Sequence, residues 1–437
     1  MSAAPPTAAS PLADWLGYLE TLHPKAIALG LDRVAAVAAR LRIAPSCPVI
    51  TVTGTNGKGS TCAYMEAMLR AGGYRVGLYT SPHLLRYTER VRIDGVEVDD
   101  AAMTEAFAAV ERVRDGVALT YFEFGTLAAL WLFARAPLDA LILEVGLGGR
   151  LDAVNVIDAD VAVITGIGID HVDYLGGTRE SIGFEKAGVL RAARPGVCAD
   201  PDPPRSLLAH AAAIGAPLFR LGTDFGYVIE GDRWQYWVRR GQEIVRRHGL
   251  PLPALRGAIQ VRNAAAALTG LELLAGRLAV PMGAVRDGLV GVDWPARFQV
   301  LPGRPAIILD VAHNPQAASI LAANLGDMGF FPNTTAVFSI LADKDIAGVA
   351  GVMKSRIDRW LIAPSGGVRG ATAARIGAGL AEAGIGGEAV VACDDIAQAL
   401  ARAREEAGEA DRIVIFGSFV TVAAALLALK RTRGPEN

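Results

Sequence analysis

The sequence predicts an α/β protein of two domains. The first is a P-loop fold on a mostly parallel sheet with a small antiparallel flap, and the second is a smaller Rossmann-like α/β unit. Three observations predict it. A β-branched run enters a glycine-rich loop that carries a lysine, in "TVTGTNGKGSTC" at 51–62. Nearly continuous apolar runs alternate with helical patterns, as parallel strands buried on both faces require. The alternation breaks near residue 220 and restarts at "PAIILDVAHNP" beyond residue 300.

The first strand is Val49-Ile50-Thr51-Val52, β-branched and bounded by Pro48 and Gly54, so it ends at Val52 or Thr53. From Ser60 onward Tyr64, Met65, Met68 and Leu69 recur at helical spacing until Gly72-Gly73. The glycines therefore lie between a strand and a helix N-terminus, which is an anion site. Backbone N–H groups at Gly54, Gly57 and Gly59 can surround a polyphosphate, the helix dipole favours its charge, and Lys58 adds a mobile cation. The spacing departs from G-x-x-x-x-G-K-[ST]: Gly54 and Gly57 are close together and Gly59 separates Lys58 from Ser60. By itself the loop indicates nucleotide binding and no particular reaction.

Further strands follow at "YRVGLYTS" (74–81), "LDALILEVG" (138–146) and "ADVAVITGIG" (159–168). Between 220 and 260 short alternating pieces such as "RWQYWVRR" suggest the antiparallel flap, and a helix covers Ala264 to Leu274. Pro295 in "GVDWPARFQ" marks a hinge, which sets the domains at 1–293 and 294–437. The second domain reads as five parallel strands at "AIILD", "TAVFSIL", "RWLIAP", "AVVAC" and "RIVIFGS".

Composition narrows the partners. A chain of 437 residues exceeds the size at which one core stops growing. A net charge of −2 supplies no basic field for a nucleic-acid backbone. Cys47, Cys62, Cys198 and Cys393 lack ligand spacing and read as reduced thiols of a cytoplasmic protein. "MSAAPPTAAS" has neither a basic nor an apolar leader region, and "FVTVAAALLAL" is too short to span a bilayer, so no membrane partner is expected.

Several polar residues fall at strand ends, where open α/β sheets bind ligands. Glu144 is one, either a magnesium ligand at the phosphates or a carboxylate paired with Arg150. Asp170 and His171 end the next strand, and spacing leaves His171 open between acid/base, ligand and structural roles. Lys186 lies in "SIGFEKAGVL", where a helical lysine is ordinarily solvated. Ser81-Pro82-His83 opens a compact loop suited to covering a substrate. In the second domain Asp310, His313 and Asn314 cluster at a strand end, and Arg297 stands near the hinge. An arginine there implies closure over a transferring phosphoryl group.

Taken together, "GTNGKGS", "YTSPHLLRYTERVRIDG", "LTYFEFGTLAALWLF", "LEVGLGGRLDAVN", "GIDHVDYLG", "ESIGFEKAGV", "PARFQ", "DVAHNP" and "GSFVTV" occur in order over nearly the whole chain. This series resembles the bacterial folylpolyglutamate synthases of the Mur ligase superfamily, in their bifunctional dihydrofolate synthase form. The resemblance implies a P-loop ATPase-type first domain and a monomeric enzyme using ATP and Mg²⁺. Its substrates would be dihydropteroate, reduced folates and L-glutamate, with phosphorylation of a carboxylate that glutamate's amine then attacks. It implies that Thr55, Asn56, Gly57, Lys58, Gly59 and Ser60 hold ATP, with Asn263, Arg297 and Asp310 as further nucleotide contacts. Ser81, Glu144 and His171 match its magnesium positions, Lys186 its carbamate-bearing lysine, and His313 lies in the adjoining motif; Lys58, Lys186 and His313 are the catalytic candidates. Leu22, His23, Thr120, Phe122, Asp152 and Ala153 fall in segments that line the pterin-substrate pocket. One departure is Val420 in "GSFVTV", where relatives often place histidine.

Overall fold

A computed structural model describes residues 5–367 and 369–433. The first four residues of the alanine- and proline-rich start and the last four of the polar tail "RTRGPEN" lie outside the described residues. The chain divides into two compact units, Met1–Ala254 with Gln260–Val292, and Leu255–Ile259 with Asp293–Asn437.

The first unit is built on β1 (Val49–Thr53), β2 (Val76–Tyr79), β3 (Val91–Ile93), β4 (Val96–Glu97), β5 (Ala140–Glu144), β6 (Val161–Ile164), β7 (Gly196–Cys198) and β8 (Leu218–Arg220). Among the described residues these form one sheet in the order β4-β3-β2-β5-β1-β6-β7-β8. Pairing is parallel from β2 through β8, and β3 and β4 form an antiparallel hairpin at the edge. Every residue of β1, β5 and β6 is buried, as expected of strands covered on both faces. The hairpin turns at Asp94-Gly95, both with positive φ, which lets a two-residue turn follow the twist of the strands.

Helices supply the cover. In Tyr121–Phe133 nearly every side chain is buried, and Phe124 meets Trp15 and Phe107 in one aromatic cluster. Full burial of each such side chain contributes about 1.5–3 kcal/mol. The flap is β9 (Phe225–Glu230), β10 (Arg233–Arg240) and β11 (Glu243–Pro251), all antiparallel. Trp234, Tyr236 and Val238 alternate inward on β10, and Tyr236 Oη lies 2.9 Å from Thr269 Oγ1 on the helix Ala258–Leu273.

The second unit holds β12 (Gln299–Leu301), β13 (Ala306–Leu309), β14 (Thr334–Phe338), β15 (Arg359–Ile362), β16 (Val390–Ala392) and β17 (Arg412–Phe416) in the order β12-β13-β17-β14-β15-β16. The five expected strands are parallel, and β12 adds an antiparallel edge that the sequence reading did not include. Its core gathers Phe338, Trp360 and Phe416 with Leu321, Met353 and Leu380.

Candidate active site

The loop between β1 and the helix Lys58–Ala71 keeps its shape because two of its residues lack side chains. Gly57 has φ +89°, a left-handed conformation, and a β-carbon there would lie 2.6 Å from Asn263 Oδ1. Asn263 on the helix Ala258–Leu273 is thus brought against the loop, and its amide donates to Gln260 Oε1 at 3.1 Å. A β-carbon on Gly54 would collide with Thr165 Oγ1. The segment after β6 anchors the other side: Thr55 N donates to Gly166 O at 2.8 Å, Gly168 N to Thr55 Oγ1 at 3.0 Å, and Thr165 Oγ1 to Asn56 O at 2.7 Å. The helix begins at Lys58, two residues earlier than its periodicity suggests, and the Lys58 ammonium folds back onto Gly54 O and Thr55 O at 3.1 and 3.4 Å. Backbone N–H groups of a first helical turn lack intrahelical partners, so this cradle suits a polyphosphate.

Strand register places the acidic group beside it. Val52 pairs with Glu144, and Tyr79 with Leu143, so β1, β5 and β2 end together. Ser81 N donates to Glu144 Oε2 at 3.2 Å, and Glu144 is buried. Arg150 does not pair with Glu144; its guanidinium holds Glu185 at 2.7 Å. Beyond β6, His171 takes φ +52° and its N–H donates to Asp170 Oδ1 at 2.8 Å. Among the described residues no three His, Cys, Asp or Glu side chains gather closely enough to hold a metal alone. The buried Glu144 carboxylate is a hard oxygen donor of the kind Mg²⁺ takes when nucleotide oxygens and water share the shell.

Lys186 is not a solvated surface lysine. It is 3% exposed in the helix Arg179–Ala187. Burial, reinforced by the Lys58 charge, lowers its ammonium to about 7, against the opposing pull of Asp170 and Asp152. At neutral pH a large share of this amine is unprotonated and nucleophilic.

The pocket segments divide into two kinds. Asp152 is buried, accepts from Leu147 N and Val154 N at 2.8 and 3.0 Å, and is raised by desolvation to about 6. Ala153 follows it in the short helix Ala153–Val156. Phe122 covers Gly146, where a β-carbon would lie 2.6 Å from its ring, and sits 6.0 Å from the Tyr79 ring. The Thr120 hydroxyl is committed to its helix, accepting from Glu123 N at 3.2 Å in a reciprocal cap. Leu22 and His23 follow the helix Leu12–Thr21, and His23 Nδ1 accepts from Lys25 N at 3.0 Å.

In the second unit Asp310 accepts from Phe298 N and Ala312 N, each at 2.8 Å, and burial raises its carboxyl. Ala296 and Phe298 both have positive φ, so Arg297 stands on a strained turn that Val311 N secures through Ala296 O at 3.2 Å. The Arg297 guanidinium lies 5.1 Å from the Phe419 ring. His313 Nδ1 donates to Val311 O at 2.8 Å, which fixes the orientation of the ring. Asn314 caps the helix Pro315–Asp327. Val420 is 45% exposed.

Comparison with known proteins decides the family. Residues 52–269 match the Mur ligase middle domain, and residues 296–419 match the Mur ligase glutamate ligase domain. The dihydrofolate synthase/folylpolyglutamate synthase of Escherichia coli K12 is 46% identical over 429 residues, which is 98% of each chain. The chain belongs to the dihydrofolate synthase/folylpolyglutamate synthase family of Mur ligases. The solved E. coli FolC in complex with DHPP and ADP superposes with a TM-score of 0.92 at 46% identity, over 98% of this chain and 100% of that one. A bifunctional folylpolyglutamate synthase/dihydrofolate synthase with Mn, AMPPNP and L-glutamate bound gives 0.89 at 45% identity, with the same coverage.

Two polar nodes of this Mur ligase fold lie outside the sequence-predicted set. Arg90 is nearly buried, donates from Nε to His83 Nδ1 at 2.9 Å, and lies over the Tyr87 and Tyr121 rings at 5.0 and 5.7 Å. Burial, followed by the Arg90 charge, lowers His83 to about 4, so this imidazole is neutral. Asp200 accepts from Ile167 N at 2.7 Å and from Arg179 Nη2 at 3.1 Å, tying the Lys186 helix to the segment that anchors Thr55. Arg90 carried a signal in its loop of arginines and tyrosines. Asp200 carried none, because its partners are remote in sequence.

Proposed function

We propose that this chain is an ATP-dependent carboxylate–amine ligase that joins L-glutamate to 7,8-dihydropteroate, giving dihydrofolate, and to tetrahydrofolate, extending its glutamate tail. The observation that carries the reading is local: Lys186 is buried in a helix that Arg179 and Asp200 tie to the segment anchoring the phosphate loop, and the charges of Lys58, Asp170 and Asp152 act on it. Family membership over nearly the full chain supports the same reaction class.

A carboxylate is a poor electrophile, so one of its oxygens first takes the γ-phosphoryl group of ATP and ADP leaves. Glutamate's amine then attacks the carbonyl carbon, the bond to the phosphate oxygen breaks, and the amine loses a proton. Thr55 to Ser60 hold the nucleotide phosphates, and Lys58 moves from the loop carbonyls onto their oxygens. Asn263, packed against Gly57, Arg297 and Asp310 are the further nucleotide contacts of this reading, and His313 is its remaining catalytic candidate. Ser81, Glu144 and His171 would hold Mg²⁺, which neutralises charge gathering on the phosphoryl oxygens. Asp152, Phe122 and Ala153, with Leu22, His23 and Thr120 at the margin, form the pterin side.

Lys186 carries a carbamate in this reading. Its neutral amine forms an N–C bond to dissolved CO₂ and releases one proton, replacing a cation with hard anionic oxygens. The functional division at 1–293 and 294–437, a monomeric state, a cytoplasmic location and small molecules as partners, with neither nucleic acid nor membrane among them, belong to the same reading. Its test is ADP release with dihydropteroate, L-glutamate and Mg·ATP, each omitted in turn. Release that persists without glutamate, or never requires dihydropteroate, overturns it.

A further inference from the structure

The loop that carries Asp152 also holds the helix that carries Lys186, through one buried side chain. Asn155 Nδ2 donates to Gly188 O at 3.0 Å and to Arg150 O at 3.1 Å, and its Oδ1 accepts from Arg191 Nη2 at 2.9 Å. Gly188 ends the helix two residues beyond Lys186. Arg150 N donates to Glu185 O at 2.8 Å, and Gly149 approaches so closely that a β-carbon would lie 3.1 Å from Lys186 O. On the other side, Asn155 N donates to Asp152 O at 2.9 Å. Asp152 and Asn155 therefore bracket a single tight turn, with one side chain holding the loop at Leu147 and Val154 and the other clamping the Lys186 helix.

We propose that Asn155 is a positioning residue that couples the pocket segment at Asp152 to the backbone around Lys186, so that seating a pterin-bearing carboxylic acid at the first sets the place of the second. The inference deepens the function proposed above and rests on its assignment of Asp152 to the substrate. Removing the amide takes the side-chain donor from Arg150 O and leaves Gly188 O the longer bond from Arg191 Nη1 at 3.2 Å, which loosens the junction from both segments. The cradle's own bonds run to Gly166 and Gly168, and the Lys186 helix reaches that segment through Arg179 and Asp200 at its other end, away from Asn155, so KM for ATP is expected to hold when Asn155 is changed.

The experiment measures amide hydrogen exchange of the full chain with and without dihydropteroate, together with steady-state kinetics. In the wild type, dihydropteroate slows exchange at 185–190 by about fivefold. In Asn155→Ala and Asn155→Asp that response disappears while slowing at 146–152 persists; kcat falls about tenfold, with KM for ATP unchanged. Asn155→Asp keeps the volume and the acceptor for Arg191 and replaces the donors with a charged oxygen, whereas Asn155→Ala removes the side chain without adding charge, so the same loss in both separates bridging from packing and from charge. Should both variants fail to fold, Arg191→Gln, which removes the donors to Asn155 Oδ1, Asn155 O and Gly188 O at the same junction, is expected to show the same split at about threefold. The proposal is overturned if the wild type shows no response at 185–190, if the folded variants keep the wild-type response, or if KM for ATP rises in step with the loss of kcat. A fully active Lys186→Ala enzyme would sink the carbamate reading and leave the exchange result standing.

Discussion

Gly57 and the side chain of Asn263 are in contact across the phosphate loop, with room between them for a hydrogen atom and not for a methyl group. Gly57→Ala combines a left-handed φ with a clash against a buried amide. The backbone cost alone is about 1–2 kcal/mol. Nucleotide titration by calorimetry is expected to show at least about a tenfold loss in ATP affinity, since 1.4 kcal/mol is tenfold.

Lys58→Ala is expected to abolish ADP release and leave the melting temperature nearly unchanged. Its ammonium touches only two loop carbonyls, so the core loses nothing when it goes. A variant with wild-type ADP release would contradict the phosphate-loop assignment.

Asp152 sets a pH dependence of stability. Its carboxyl is raised by burial from the ordinary 3.8 to about 6. Between those values the folded protein keeps a proton that the unfolded chain has released, so stability falls as pH rises through the window and is level above it. The size is on the order of 3 kcal/mol. Urea midpoints of the wild type at pH 4 and 7, compared with Asp152→Asn at the same values, check it: the variant is expected to gain on the wild type across the window.

These residues differ in how far they were legible in the sequence. The phosphate loop was readable because strand, glycines and helix are contiguous, and Val49 to Ala71 fold as their local pattern dictates. Lys186 was not. Its helix has ordinary amphipathic spacing, and the segments packed on it, Gly149 and Arg150 at the helix end and Asp200 through Arg179, are about 20 to 35 residues away in sequence. β7 and β8 have three residues each, too few for a period to show, and β12 pairs antiparallel only because β13 is there to receive it. The alternative pairing of Glu144 with Arg150 failed for the same reason, since Glu185 lies in a different element.

Lys186→Ala is expected to be nearly inactive, and a short carboxylic acid at high concentration is expected to restore part of the activity by occupying the vacated space. Intact mass and ¹³C spectra of wild-type protein kept in labelled bicarbonate are expected to show one carbamate. An unmodified lysine in a fully active sample would exclude that role.

The central claim is that the substrate carboxylate is activated by phosphorylation, and the measurement that tests it most directly follows one oxygen atom. Dihydropteroate labelled with ¹⁸O in its carboxylate is incubated with the enzyme, L-glutamate and Mg·ATP, and the released phosphate is analysed by mass. The account requires one ¹⁸O in each phosphate formed alongside dihydrofolate. Dihydrofolate produced with unlabelled phosphate would contradict it.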